Sequence, residues 1–268
     1  MAPPAQAAPT AAPLAVVTGA SAGIGAALAR ELSRRGRPVL AVARRDDRLR
    51  ALAEEARASG RAPIHPLALD VAAPGAAARL VEAARALGGA GWLVNNAGFG
   101  IYGGFERNDP ARLAEMIRLN CESLVLLTHA FLPDLRARGR AAILNVASVA
   151  GFQPTPYMAV YGATKAFVLS FSEALAEELR GSGVSVGAFC PGPVTTEFGA
   201  VAGTGERFGN VPARLTAEQA ALEAILQLER GEVVRVPTAL YGFTTRLVSF
   251  VPRALVRRLA GRVQRERS

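Results

Sequence analysis

The sequence predicts an α/β fold, a doubly wound, seven-stranded parallel sheet with helices on both faces. Three observations predict it. Short β-rich apolar runs alternate with Ala/Leu/Arg/Glu segments of helical period along most of the 268 residues. Half of the residues are hydrophobic and a fifth are charged, which suits one domain with a large core. The first apolar run also leads straight into a glycine-rich turn that opens a helical segment, as in the first unit of a dinucleotide-binding sheet.

Taken in order, the strands are LAVVT at 14–18, PVLAVA at 38–43, IHPLAL at 64–69 and WLVNN at 92–96. AAILNVA at 141–147, VSVGAF at 184–189 and EVVRV at 232–236 complete the seven. Helical segments fill the gaps at 23–35, 46–58, 75–87, 110–136, 157–180 and 216–230. Such a sheet gathers ligands beyond the carboxyl ends of its strands, where the strand order switches. Residues 1–13 are rich in Ala and Pro, lack the basic and apolar regions of a signal peptide, and read as a disordered leader. The domain then covers 14–240 and a basic extension 241–268. No stretch approaches the roughly 18 apolar residues of a spanning helix.

Cys121 and Cys190 have no paired spacing, so neither a disulfide framework nor a thiolate metal site is expected, and a reducing cytoplasm fits. The net charge of +9 raises the question of polyanions. The arginines are spread, however, with a local excess only from Arg246 to Arg267, and no nucleic-acid motif accompanies them. Nucleic acid is not an expected partner.

The turn Thr18-Gly19-Ala20-Ser21-Ala22-Gly23-Ile24-Gly25 joins the first strand to an Ala-rich helix. Backbone N–H groups and the positive end of a helix bind a pyrophosphate, and glycines allow the tight turn and the close approach. After the second strand stand Arg44 and Arg45, where an NAD site carries an acidic residue. A guanidinium there favours a 2′-phosphate, although the same residues could simply start a solvated helix. Asp70 is either a partner for the adenine edge or a helix cap.

Of the 31 basic residues, 30 are arginine and Lys165 is the one lysine. It lies four residues after Tyr161 in YGATK, so both side chains share a helix face. A nearby cation favours phenolate, so Lys165 is expected to lower the Tyr161 pKa toward the working range of an acid–base group.

These motifs resemble the short-chain dehydrogenase/reductase family from the first strand to about Phe198. TGASAGIG at 18–25, NNAG at 95–98, Asn120 in RLNCES, Ser148 in NVAS, YGATK at 161–165 and PGPVTT at 191–196 fall in register. The resemblance implies a Rossmann-like oxidoreductase that passes hydride between NADP(H), preferred over NAD(H), and a carbonyl or secondary alcohol. No metal takes part. It makes Asn120, Ser148, Tyr161 and Lys165 catalytic: Ser148 holds the substrate oxygen and Tyr161 moves the proton. Lys165 binds the nicotinamide ribose, and Asn120 helps hold a relay water. Cofactor contacts then fall on Gly19, Ser21, Gly23, Ile24 and Gly25, on Arg44, Arg45 and Asp70, and on Asn95, Ala97 and Gly98, with Asn96 structural. Tyr161, Lys165, Pro191, Gly192, Val194 and Thr196 complete the set, with Thr195 a competitor for the last place.

Phe99, Tyr102, Phe105, Phe152, Tyr157 and Met158 are expected at the substrate end and suggest a lipophilic substrate. Gly199 to Pro212 reads as a mobile lid. His65 and His129 lie outside the motifs and read as structural. The resemblance implies a homodimer or homotetramer through the helices at 110–136 and 157–180. In the extension, Leu247, Val248, Val251, Leu255, Val256 and Leu259 recur among arginines at helical spacing, with Pro252 breaking or starting a helix. That segment packs on the domain, on a second subunit, or on an anionic membrane. A protein that kept the fold as an NADP(H) sensor or scaffold and lost turnover is the rival reading, opposed by the intact Ser148, Tyr161 and Lys165.

Overall fold

The computed structural model describes residues 12–204, 211–248 and 250–264. Its main sheet has the order β3-β2-β1-β4-β5-β6-β9, and every neighbouring pair is parallel. The strands are β1 (Leu14–Thr18), β2 (Val39–Ala43), β3 (Ile64–Ala68), β4 (Ala90–Asn95), β5 (Ala141–Val146), β6 (Val184–Phe189) and β9 (Val234–Arg235). A separate ladder of two-residue strands, β7 (Val194–Thr195) and β8 (Leu215–Thr216), stands apart from it.

Burial on both faces explains the continuous apolar runs, since alternate residues of each strand enter different cores. Ala15 and Val17 of β1 pack with α1 (Gly23–Arg34), α2 (Asp46–Ala58) and α8 (Ala217–Arg230). Leu14 and Val16 pack on the opposite face with α3 (Ala76–Ala86), α5 (Ser123–Ala137) and α6 (Ala159–Glu178). Pro66 falls within β3, the edge strand, where a missing N–H costs least.

Local signals fix several ends. Asp109 caps α4 (Pro110–Ile117) by accepting from Ala111 N, with Pro110 at the first helical position. Thr216 and Gln219 form a capping box on α8, which ends on left-handed Gly231. The single helix expected at 110–136 is instead interrupted by a π-turn at Arg118–Glu122, which separates α4 from α5. The helix expected from 157 starts at Ala159, because Tyr157 takes a left-handed backbone conformation (φ +64°). For a bulky side chain this is costly and is tolerated where the surroundings impose it.

The extension forms α9 (Ala239–Val248) and α10 (Arg253–Gln264), the latter starting directly after Pro252. It rests partly on the sheet domain: a Cβ added at Gly192 would lie 2.6 Å from the Tyr241 ring, and Thr245 and Val256 are buried. Of the expected lid, α7 (Phe198–Ala202) occupies the start, and 205–210 lie outside the described residues. The leader up to residue 11 lies outside them as well.

Candidate active site

The candidate residues gather at the carboxyl end of the sheet, around the switch between β1 and β4. In the turn after β1, Gly19 has φ +68°, and a Cβ on it would lie 2.9 Å from the Cα of Ala97. Gly25 faces tighter constraints, with Gly19 O at 2.4 Å and Asn96 Nδ2 at 2.5 Å from an added Cβ. Helix α1 starts without a side-chain cap at Ala22 and without an acidic residue in its first turn. The turn around Gly23 and Ile24 therefore presents a positive helix end with free N–H groups, as a diphosphate requires.

Arg45 Nε donates to Ser21 Oγ at 3.1 Å, so a guanidinium and a hydroxyl meet beside that turn. Arg44 pairs with Glu115 at 3.4 Å. Both Arg45 and Arg48 reach Glu197, at 3.0 and 2.5 Å, and hold its carboxyl below the usual carboxylate range. Asp70 is exposed and accepts from Ala72 N at 3.0 Å, capping a turn just after β3 rather than the helix that starts at Ala76.

At the end of β4 both asparagine side chains make structural hydrogen bonds, where only Asn96 was expected to. Asn95 is buried and turns its amide inward, donating to Thr128 Oγ1 and Asn145 Oδ1 at 3.0 and 2.9 Å, so its side chain does not face the cleft. The side chain of Asn96 ties β4 to the phosphate turn through Thr18 O at 2.8 Å. Thr18 was not singled out by the sequence. Its hydroxyl accepts from the N–H groups of Asn96 and Ala97, both at 3.0 Å, and donates to Val94 O.

Ser148, Tyr161, Lys165 and Asn120 are all buried and are brought together by β5, α6 and the π-turn. Ser148 Oγ accepts from Ala150 N at 3.1 Å. Lys165 Nζ donates to Val146 O at 2.7 Å and stands 5.8 Å from the centre of the Tyr161 ring. Asn120 is the residue for which the helix widens. Its amide donates to Phe99 O and Thr164 Oγ1, both at 3.0 Å, and its oxygen accepts from Phe99 N. Gly98 fits beneath it, since a Cβ there would lie 2.9 Å from Asn120 Oδ1.

Burial pushes the Tyr161 phenol up to about 12, opposed by the hydrogen bond with Ser148. Burial lowers the Lys165 ammonium to about 8. The expected lowering of the phenol by Lys165 is thus not met. The ammonium is aimed at a backbone carbonyl, and loss of water around the phenol outweighs it.

Tyr161 belongs to an apolar cluster with Phe99, Met116 and Met158, against which Val160 and Phe198 pack. The rings of Tyr102 and Tyr157 meet at 6.2 Å nearby. Phe105 is largely exposed, and Phe152 packs instead with the cluster of Leu124 and Val168 behind the site. Pro191, whose carbonyl accepts from Val149 N, leads the chain back over the site. Val194 is held there by β8, and Thr196 lies 3.1 Å from where a Cβ of Gly23 would stand. Thr195 pairs with Thr216 in that ladder. Among the described residues, no group of three or more His, Cys, Asp or Glu could hold a metal ion.

The short chain dehydrogenase family model matches residues 13–206. A short chain dehydrogenase of Pseudocercospora fijiensis is 38% identical over 189 residues, which cover 69% of this chain and 61% of that protein. Among solved structures, a short-chain dehydrogenase from Sphingobium yanoikuyae in complex with NADPH superposes with a TM-score of 0.77 at 35% identity. That match covers 90% of this chain and 97% of the other. The bulky-bulky ketone specific alcohol dehydrogenase from Comamonas testosteroni gives 0.76 at 30% identity over 91% of this chain and 97% of its own.

Proposed function

The chain belongs to the short chain dehydrogenase family, and from that membership we propose that it is an NADP(H)-dependent oxidoreductase acting on a lipophilic carbonyl or secondary alcohol. The observation that carries the reading is a buried Ser148–Tyr161–Lys165 group in apolar surroundings, at the same strand ends as an uncapped helix N-terminus. The cofactor supplies hydride exchange with a carbon atom. Gly19, Gly23, Ile24 and Gly25 offer backbone to its diphosphate, while Ser21, Arg44 and Arg45 offer a 2′-phosphate charge-assisted donors. Ala97 and Asp70 are assigned to the adenosine side, Gly98 to the stretch beside Asn120 and Lys165, and Pro191, Gly192, Val194 and Thr196 to the nicotinamide side. The Asn95 side chain is given no contact.

Held up to about 12, Tyr161 stays protonated through neutral pH and can donate its proton to a developing alkoxide in reduction. The neighbouring Ser148 hydroxyl orients the substrate oxygen. Lys165 keeps an ammonium near the phenol, and Asn120 fixes the widened helix turn that faces it. An apolar substrate suits Phe99, Met158 and Phe198 around the phenol. A silent sensor would have no use for a lysine and a tyrosine held with displaced pKa values in one pocket. The test is nicotinamide oxidation with bulky hydrophobic ketones. We expect NADPH to be consumed faster than NADH, and Tyr161→Phe to cost about a hundredfold or more in rate. Equal rates for wild type and variant would sink the acid role of Tyr161.

Exposed Leu126 and Phe167 on α5 and α6 support association of subunits there. A second exposed apolar set lies in and beside the extension, at Leu240, Phe243, Leu247, Phe250, Leu255 and Leu259. Residues 241–268 hold seven arginines against one glutamate, which supports peripheral contact with anionic lipid. Among the described residues, no helix is long and apolar enough to cross a membrane. Sedimentation with and without phosphatidylglycerol vesicles separates the two faces. Dimers that stay in the supernatant in both cases would end the lipid proposal, and monomers would end the other.

A further inference from the structure

Three consecutive residues on the segment that returns over the site touch three of its parts. Thr196 lies against the phosphate turn at Gly23. The Glu197 carboxylate accepts from Arg45 at 3.0 Å and from Arg48 at 2.5 Å, while Arg45 also holds Ser21. The Phe198 ring meets the Tyr161 ring at 5.3 Å with the planes 52° apart, and Phe198 N donates to Thr196 Oγ1.

A carboxylate therefore occupies Arg45, one of the guanidiniums assigned above to a 2′-phosphate, together with its neighbour Arg48, and it belongs to the segment that packs on the phenol. We propose that Glu197 is a specificity-determining latch, an internal competitor for the 2′-phosphate whose displacement carries Phe198 away from Tyr161. This rests on the NADP(H) reading above.

The exchange favours the incoming ligand. A phosphate monoester brings nearly two charges and three strong acceptors, against the single charge of Glu197. A 2′-hydroxyl brings no charge, leaves Glu197 on its arginines, and leaves Phe198 over the phenol. Discrimination between the two cofactors then shows in turnover as well as in affinity. Its size is limited, because Arg45, Arg48 and Glu197 are all about half exposed and their pairing is screened by salt.

Calorimetric titration of the full chain with adenosine 2′,5′-bisphosphate and with adenosine 5′-diphosphate tests the latch without turnover. Glu197→Gln keeps the size of the side chain and removes its charge. We expect it to tighten the 2′-phosphorylated ligand about threefold to fivefold at low salt, less at high salt, with the 5′-diphosphate unchanged. Faster turnover of Glu197→Gln with NADH would support the link to Phe198. A wild type that prefers the 2′-phosphate, with a variant that binds it equally or more weakly, overturns the latch and leaves the cofactor reading intact. A wild type showing no preference for the 2′-phosphate overturns both.

Discussion

The two ends of the cleft are built from different materials. At the phosphate end stand the N-terminus of an uncapped helix and half-exposed arginines, with Arg45 shared between Ser21 and the Glu197 carboxylate. At the other end, a phenol and an ammonium are buried among apolar side chains, and both have displaced pKa values. The contrast teaches where leverage lies. A charge in water is screened and adds little per contact, whereas the same charge without water responds strongly to each neighbour.

Removing the buried charge should have the larger effect. In Lys165→Met we expect turnover to fall about a hundredfold or more, because the phenol loses its nearby cation. A second readout separates chemistry from folding. Between about 8, the folded value, and the ordinary 10.5 of lysine, the unfolded chain binds more protons at this site than the native one. Wild-type stability therefore gains a rising contribution across that window, and below it the cost of burying the ammonium is fully felt. The variant should lack that rise. Tyr161 acts with the opposite sign, since its raised value makes native stability fall only between 10 and about 12. The raised Cys190 and Cys121 thiols make stability fall over the upper part of the same window in both proteins. The lysine is therefore read from the difference between wild type and variant in urea unfolding from pH 7 to pH 9.5, and parallel curves for the two proteins would contradict its burial as an ammonium.

The same contrast decides what the sequence could reveal. Strands β1 to β6 are legible to within about two residues: β1, β2, β4, β5 and β6 are buried on both faces, so their apolar runs are nearly unbroken, while the edge strand β3 exposes Pro66 and Ala68 and is marked by its place in the alternation. The ladder of β7 and β8 was not legible, since Val194–Thr195 and Leu215–Thr216 sit in no β-rich apolar run such as the EVVRV that marks the equally short β9. Lys165, Tyr161 and Ser148 stand out by type and spacing. Asn96 reads as structural and its amide ties β4 to the phosphate turn, whereas the inward turn of the Asn95 side chain depends on the pleat of β4, which the motif itself does not mark. Phe152 follows Ser148 closely yet turns behind the site, because the short 3₁₀ turn at Val149–Phe152 redirects the chain. Glu197 was invisible, being 152 residues from Arg45, and no local pattern marks a charge pair at that separation.

A smaller effect tests the phosphate end, where shape replaces charge. Gly25 sits within α1 at a negative φ, so an alanine there suffers no backbone strain and the whole cost comes from contact. The new methyl would meet Gly19 O at 2.4 Å and Asn96 Nδ2 at 2.5 Å, and the Asn96 amide is tied to Thr18 O. Relief requires the turn to move off β4, which also moves the N–H groups that would cradle a diphosphate. We expect Gly25→Ala to lose about 1–3 kcal/mol of stability, the range for overpacking, and to weaken 5′-diphosphate and 2′,5′-bisphosphate ligands alike. Gly242→Ala in α9 is the matched control, since its nearest neighbour is Val236 O at 4.0 Å and alanine is the better helix former. Urea unfolding should place that control at or above wild type. Normal stability and normal ligand affinity for Gly25→Ala would mean that the turn is not the rigid cradle its contacts describe.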